Sequence, residues 1–301
     1  MKHELSVLIP VFNCRCRDLV ESVHRQLRLS EADYEIIVAD DGSTDMAAVR
    51  DNRSIAPLEN VRLIERGFNS GRSRIRNFLA TEARHANLLF LDGDMSVGRD
   101  DFIASYLMRD EPVVYGGYDI VRDDGRLMAN LRYRYERRAE GNHCAAARSK
   151  RPYNDFHTSN FMVTKEIMTR FPFDERFRHY GYEDVLWGKT LRDNGIAIKH
   201  TDNPLTFADF EPNADFVRKT EEGLRTLHEF CAELRGYSSL LRYERAVRRL
   251  HLAPLMRGLY RLLRKPLLHN LESNNPSVFK FNIYKLLYFI NLQRWSGRGR
   301  F

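Results

Sequence analysis

Three groups of acidic residues have types and spacing suited to chemistry. Asp92 and Asp94, separated by Gly93, follow the apolar run LLFL. Two carboxylates flanking a glycine at a strand end suit a hard divalent cation such as Mg²⁺ or Mn²⁺. Such an ion prefers one or two carboxylates and completes its shell with phosphate oxygens and water. Gly93 would let a diphosphate approach the backbone, although the same tripeptide is also an ordinary solvated Asp-Gly turn. The second group is DDGSTD at residues 40–45, built from turn formers. The third is Glu183 and Asp184 in GYEDVLWGKTL, where two acids open a helix and favour its dipole in any protein. Trp187 offers an aromatic face there, but its place between Leu186 and Leu191 on a helix that must pack on a sheet points to the core. The ten histidines show no HExxH or similar metal spacing.

The elements that must position these acids follow from hydrophobic patterning. Residues 5–12 are a nearly continuous apolar run, as in a strand buried on both faces, and Leu19, Val20, Val23 and Leu27 then recur at helical spacing. EIIVA at 35–39 runs into the first acid cluster, and VRLIE at 61–65 precedes the loop GFNSG and a helix predicted over 72–83. A further apolar run over 87–91 ends in Asp92. Strands alternating with helices predict an α/β fold with an open, mainly parallel sheet. Ligands bind outside the carboxyl ends of such strands, so Asp41 and the Asp92/Asp94 pair are expected along one edge.

A chain of 301 residues with 43% hydrophobic and 11% aromatic residues buries a substantial core, which excludes disordered and collagenous classes. The start of the chain lacks a small-residue cleavage site, and IYKLLYFINL contains Lys285, so neither a signal peptide nor a membrane-spanning helix is expected. The four cysteines lack metal-site pairing, and reduced thiols in a cytoplasmic setting are the economical expectation. Charge is uneven. Residues 236–301 hold thirteen Lys or Arg against two Glu, a net +11, whereas residues 1–235 carry −4. The mildly acidic body has no compositional support for nucleic-acid binding.

Taken in order, IPVFN, DDGSTD, NSGRSRIRN and LFLDGD, followed by SNFMVTKEI, FPFDERFRHYGYEDVLWGKTL and NPLTFADFEPNADFVRKTEEGL, resemble glycosyltransferase family 2 over roughly residues 4–235. The resemblance implies a GT-A fold, a nucleotide-sugar donor such as a UDP-sugar, Mn²⁺ or Mg²⁺, and inversion at the anomeric carbon. It implies a nucleotide-sugar-binding half over 1–100 and an acceptor-binding half over 101–235, while charge and apolar patterning mark 236–301 as a basic amphipathic helical extension. Pro10 and Val11 would border the nucleobase pocket, Asp41 would accept the uracil N–H, and Arg76 would lie near the diphosphate. Asp94 would bind the metal directly, and Asp92 would contact the ribose or a metal-bound water. Asp184 would be the general base with Glu183 beside it; His157, Asn160 and Trp187 are candidates for the acceptor side. Many relatives carry a metal-binding histidine where this chain has Phe207, leaving Asp209 or His200 as replacements.

Two rival readings are a sugar nucleotidyltransferase and a catalytically silent GT-A binding module. The first usually carries a glycine-rich loop after its first strand, where this chain has NCRCRD; the second is opposed by the intact acids. Helices are predicted over 239–250, after Pro254 and after Pro276. Leu255, Leu259, Leu262 and Leu263 alternate there with Arg257, Arg261, Arg264 and Lys265, and Phe279, Ile283, Leu286, Leu287 and Ile290 follow with Tyr284, Tyr288 and Trp295. These helices either pack on the protein or lie on an anionic membrane surface, bringing the site to a lipid-linked or glycan acceptor at the inner face of the plasma membrane.

Overall fold

The computed structural model describes residues 2–123 and 125–292. The chain divides into two compact units. The first takes the chain up to Val121, Glu140–Arg178 and Glu183–Asp209; the second takes Arg122–Ala139, His179–Tyr182 and the described chain from Phe210 onward. Residues 236–292 thus share a unit with segments from upstream, including the Asn213–Glu229 helix.

The first unit is α/β. Its strands are β1 (Glu4–Val11), β2 (Asp33–Asp40), β3 (Val61–Glu65), β4 (Asn87–Leu91), β5 (Met95–Ser96), β6 (Val113–Tyr115), β7 (Tyr118–Ile120), β8 (Asn160–Thr164), β9 (Lys199–His200) and β10 (Leu205–Phe207). Seven of them form one sheet in the order β3-β2-β1-β4-β8-β6-β9, and β5, β10 and β7 form a small second sheet. β1, β2, β3 and β4 run parallel, while β8 is antiparallel to both β4 and β6. Leu5, Val7, Leu8 and Ile9 are wholly buried, as a central strand covered on both faces requires.

The chain leaves β1 for β2 and β3 on one side and returns to β4 on the other, so the strand order reverses between β1 and β4. A crevice opens outside the carboxyl ends at such a switch point. Val11 ends one bordering strand, and Asp92 to Asp94 follow the other. The approach is close: a Cβ on Gly93 would stand 2.9 Å from Val11 Cγ2 and 3.2 Å from the Pro10 carbonyl oxygen. Gly42, at φ +79°, likewise lets the turn after β2 abut the backbone of Phe68.

The second unit is helical, with Leu131–Ala139, Asn213–Glu229, Ser239–Arg249, Ala253–Leu271 and Val278–Leu292. Phe281, Tyr284, Leu287, Tyr288, Phe289 and Ile290 of the last helix are buried. Arg225 Nη1 of the Asn213–Glu229 helix donates to Tyr288 Oη at 2.6 Å, and Tyr284 Oη donates to Glu221. The expected amphipathic face of this helix is therefore core, with Tyr284, Leu287, Tyr288 and Ile290 withdrawn from any membrane surface; Trp295 lies outside the described residues. Among the described residues no helix is long and apolar enough to cross a membrane.

Candidate active site

β2 delivers Asp41 into a closed polar network. Its backbone N–H donates to the Val11 carbonyl at 2.8 Å. Its carboxylate accepts from Arg66 Nη1 at 2.9 Å, Ser70 Oγ at 2.7 Å, the Ser70 N–H at 2.8 Å and the Gly71 N–H at 3.0 Å. Four donors match the lone-pair capacity of a carboxylate, so Asp41 fixes the loop that opens the Arg72–Glu82 helix.

That helix supplies two arginines one turn apart, which share a face. Arg76 is only 1% exposed, with Nη2 donating to Asp92 Oδ1 at 2.5 Å and Nη1 donating to the Arg72 carbonyl at 3.1 Å. Arg76, expected near the diphosphate, is thus buried, and its guanidinium is engaged by Asp92. Arg72 is the more exposed of the two, and its Nη2 donates to Asp92 Oδ2 at 3.2 Å while Nε donates to Glu183 Oε1 at 2.7 Å. One guanidinium thus joins the acid at the end of β4 to the acid that opens the Glu183–Asp193 helix, 111 positions from Arg72 in sequence. Glu183 is buried, and among the described residues its second oxygen, Oε2, has no hydrogen-bond partner.

Asp184 lies beside it, with Oδ1 accepting from the Val185 N–H at 2.8 Å and Oδ2 3.0 Å from His157 Nδ1. Burial alone would raise this carboxyl. The His157 hydrogen bond and charge, the Val185 N–H and the Arg72 guanidinium outweigh burial and hold it below the usual carboxylate range. The pairing of His157 with Asp184 is absent from the sequence reading, because 27 positions separate the two and no periodicity links them.

Two acceptor-side candidates are corrected. Trp187 is buried against Phe173, Phe156 and Phe161, and its Nε1–H donates to the Phe171 carbonyl at 2.8 Å, so it is a core aromatic with no face for a sugar. Asn160 is fully buried; its Nδ2 donates to the Gly117 and Asn203 carbonyls and its Oδ1 accepts from Tyr106 Oη, which makes it a strut from β8 to the turns after β6 and β9 and to the Phe102–Leu107 helix.

Asp94 is exposed and lines a cleft of about 490 Å³ with Asp209, Arg15 and Ser96. Burial pushes the nearby Cys14 thiol up to about 12, with further upward pressure from the charges of Asp94, Asp92 and Asp209. An all-oxygen donor set of this kind fits Mg²⁺ or Mn²⁺. Among the described residues no group of three or more His, Cys, Asp or Glu forms a closed cage, so such an ion would take its remaining ligands from phosphate and water. His200 is not brought to this cleft: Arg148 Nε donates to its Nδ1 at 3.3 Å and its Nε2 lies 2.9 Å from the Pro152 carbonyl. With both ring nitrogens used and the ring packed on Tyr115, His200 is not the replacement ligand. Phe207 is buried in the small sheet, in register with Met95 and Ile120, and Asp209 follows two residues later.

Residues 6–173 match the sequence profile of glycosyl transferase family 2. The chain belongs to that family. A poly(ribitol-phosphate) beta-glucosyltransferase of Bacillus spizizenii is 35% identical over 106 residues, which are 34% of this chain and 17% of that protein. An uncharacterized glycosyltransferase of Haemophilus influenzae is 33% identical over 101 residues, which are 34% of this chain and 38% of that protein. The matched stretches are thus well under half the length of these curated relatives. Among solved structures, S. aureus TarS 1-349 in complex with UDP aligns over 100% of this chain and 94% of its own, at a TM-score of 0.53 and 17% identity. The mannosyltransferase PcManGT from Pyrobaculum calidifontis, in complex with GDP-Man and Mn²⁺, aligns over 98% of this chain and 88% of its own, at a TM-score of 0.53 and 14% identity. At such identities the likeness is one of fold, and it places the family 2 chain in the GT-A class.

Proposed function

We propose that this family 2 member is an inverting, metal-assisted glycosyltransferase that moves a hexosyl or N-acetylhexosaminyl group from a UDP-sugar to a hydroxyl of a glycan or lipid-linked acceptor. The observation that carries this reading is the Arg72 bridge from Asp92 to Glu183, which sets the donor-side acids beside the acid pair of a base. The structurally similar proteins, with UDP in one complex and GDP-Man and Mn²⁺ in another, support the donor class. In this reading the nucleoside lies in the crevice between the ends of β1 and β4, against Pro10 and Val11. Asp41 meets the imide N–H when Ser70 Oγ turns away. Asp92 contacts the ribose, and Asp94 with Asp209 would hold the cation. When bound, Mn²⁺ or Mg²⁺ neutralises the departing diphosphate. Asp184 takes the proton of the acceptor hydroxyl as its oxygen bonds to the anomeric carbon and the carbon–phosphate-oxygen bond breaks on the opposite face. The orphan Oε2 of Glu183 is an acceptor for a second hydroxyl of the incoming group.

Asp94→Asn is expected to weaken Mn²⁺-dependent UDP binding about tenfold or more, the scale on which metal-site partners act. Titration calorimetry showing wild-type affinity would remove Asp94 from the site. A panel of nucleotide sugars with Mn²⁺ distinguishes the rivals: a glycosyltransferase releases UDP, a nucleotidyltransferase forms sugar phosphate when given pyrophosphate, and a silent module binds without turnover.

A cytoplasmic, membrane-peripheral setting belongs to the same proposal. Leu252, Leu255 and Leu262 are exposed large apolar residues on or beside the Ala253–Leu271 helix, which also exposes Arg261, Arg264 and Lys265. Leu255 and Leu262 stand seven positions apart, on one face, and each basic residue near anionic lipid adds about 1 kcal/mol. The full chain is expected to co-float with anionic liposomes at low salt, and Leu255→Asn with Leu262→Asn to reduce recovery several-fold. Equal flotation of the two proteins would assign these leucines to no membrane role.

A further inference from the structure

We propose that His157 is the positioning partner of the base: its Nδ1–H holds Asp184 Oδ2, while the Val185 N–H holds Oδ1, so that the carboxylate stays ionised and fixed in orientation. This rests on the reading of Asp184 as the base. An ionised carboxylate only accepts hydrogen bonds, so the 3.0 Å contact makes Nδ1 the protonated ring nitrogen. The two side chains differ in access, His157 being 45% exposed and Asp184 17%. The base is thus sheltered and its partner stands toward solvent. Two aromatic edges fix the imidazole plane, Tyr115 of β6 at 6.3 Å and Tyr118 of β7 at 5.9 Å between ring centroids. A His–carboxylate pair of this kind fixes the orientation of both members, and the preorganisation is worth most when the proton moves.

The pair answers a problem that burial creates. A carboxylate sheltered from water tends to protonate, which would disable it as a base. The charged and titratable groups around the pair are Arg72 from the Arg72–Glu82 helix, Glu183 from its own helix, Tyr115 and Tyr118 from the neighbouring strands, and His200 of β9, which senses the His157 charge. Of these, Arg72 is engaged by Asp92 and Glu183, and His157 donates directly to Asp184. Without it, only the Val185 N–H and the Arg72 charge oppose burial, and the Asp184 carboxyl titrates at higher pH than in wild type. The acid limb of turnover moves the same way, because only the ionised carboxylate accepts the proton.

The test compares wild type with His157→Ala, His157→Asn and Asp184→Asn in the full chain. The Asp184 carboxyl carbon is followed by ¹³C NMR, and turnover is followed as Mn²⁺-dependent UDP release from UDP-glucose and UDP-N-acetylglucosamine. His157→Ala is expected to move the Asp184 titration to higher pH and to lower kcat about tenfold or more, with UDP affinity and melting temperature unchanged. His157→Asn, whose amide N–H stands near the Nδ1 position, restores part of both. An unmoved Asp184 titration in His157→Ala overturns the proposal, as does unchanged kcat across pH while Asp184→Asn is inactive. Sustained turnover in Asp184→Asn instead removes the base reading on which it rests.

Discussion

Asp184→Asn is expected to lower turnover by ~10²-fold or more while leaving UDP affinity near wild type, the usual loss for a positioned base. The argument is geometric. Asp184 bonds to His157 and to the Val185 N–H, and no hydrogen bond ties it to Asp92, Asp94 or Asp41 among the described contacts. An asparagine keeps the acceptor for Val185 and nearly the same shape, so the fold and the crevice between β1 and β4 persist. It cannot take a proton, and its amide N–H now faces His157, which forces the imidazole to present an unprotonated Nδ1. Initial rates beside UDP calorimetry check both halves. Near-normal rates would shift the base role to the neighbouring Glu183, whose Oε2 is an unpartnered buried acceptor among the described residues.

The sequence carried the parallel half of the sheet because its strands are uninterrupted apolar runs that end in acids. VRLIE and NLLFL match β3 and β4 residue for residue, and Asp41 and Asp92 follow β2 and β4 at one edge. An apolar run does not state its direction, so nothing in SNFMVT distinguishes the antiparallel β8 from another parallel strand. Asn160, an acceptor-side candidate beside His157 under the family resemblance, bridges Gly117, Asn203 and Tyr106 in the interior. Side-chain identity was also silent on which arginine of RSRIR is buried. Arg72 and Arg76 share a helical face, and only the distance along the axis to Asp92 places one of them underneath. In the C-terminal helices the periodicity was correct, but the apolar face of Val278–Leu292 meets the Asn213–Glu229 helix. A stripe wide enough for a membrane is equally wide enough for a neighbouring helix.

Arg76→Met is expected to destabilise the fold by about 3–5 kcal/mol, the cost of leaving a buried charge without its partner. Arg76 is almost wholly inaccessible and its cation lies between two carboxylates, bonded to Asp92 at 2.5 Å and 4.0 Å from Glu183. Methionine fills most of the side-chain volume, so the loss comes chiefly from two acids left to share the single Arg72 guanidinium and less from a cavity. Arg72 cannot compensate, because its own guanidinium already spans Asp92 and Glu183 from the more exposed side. Lysine in place of arginine keeps the charge but loses the fork that reaches Asp92 and the Arg72 carbonyl together, so it should recover only part of the stability. Chemical denaturation of wild type, Arg76→Met, Asp92→Asn and the double variant isolates the pair. Asp92→Asn should cost much less in the Arg76→Met background than in wild type, since the charge that needed Arg76 is then gone. Strict additivity, or an Arg76→Met protein within about 1 kcal/mol of wild type, would mean that the buried ion pair does not hold the β4 acids in place.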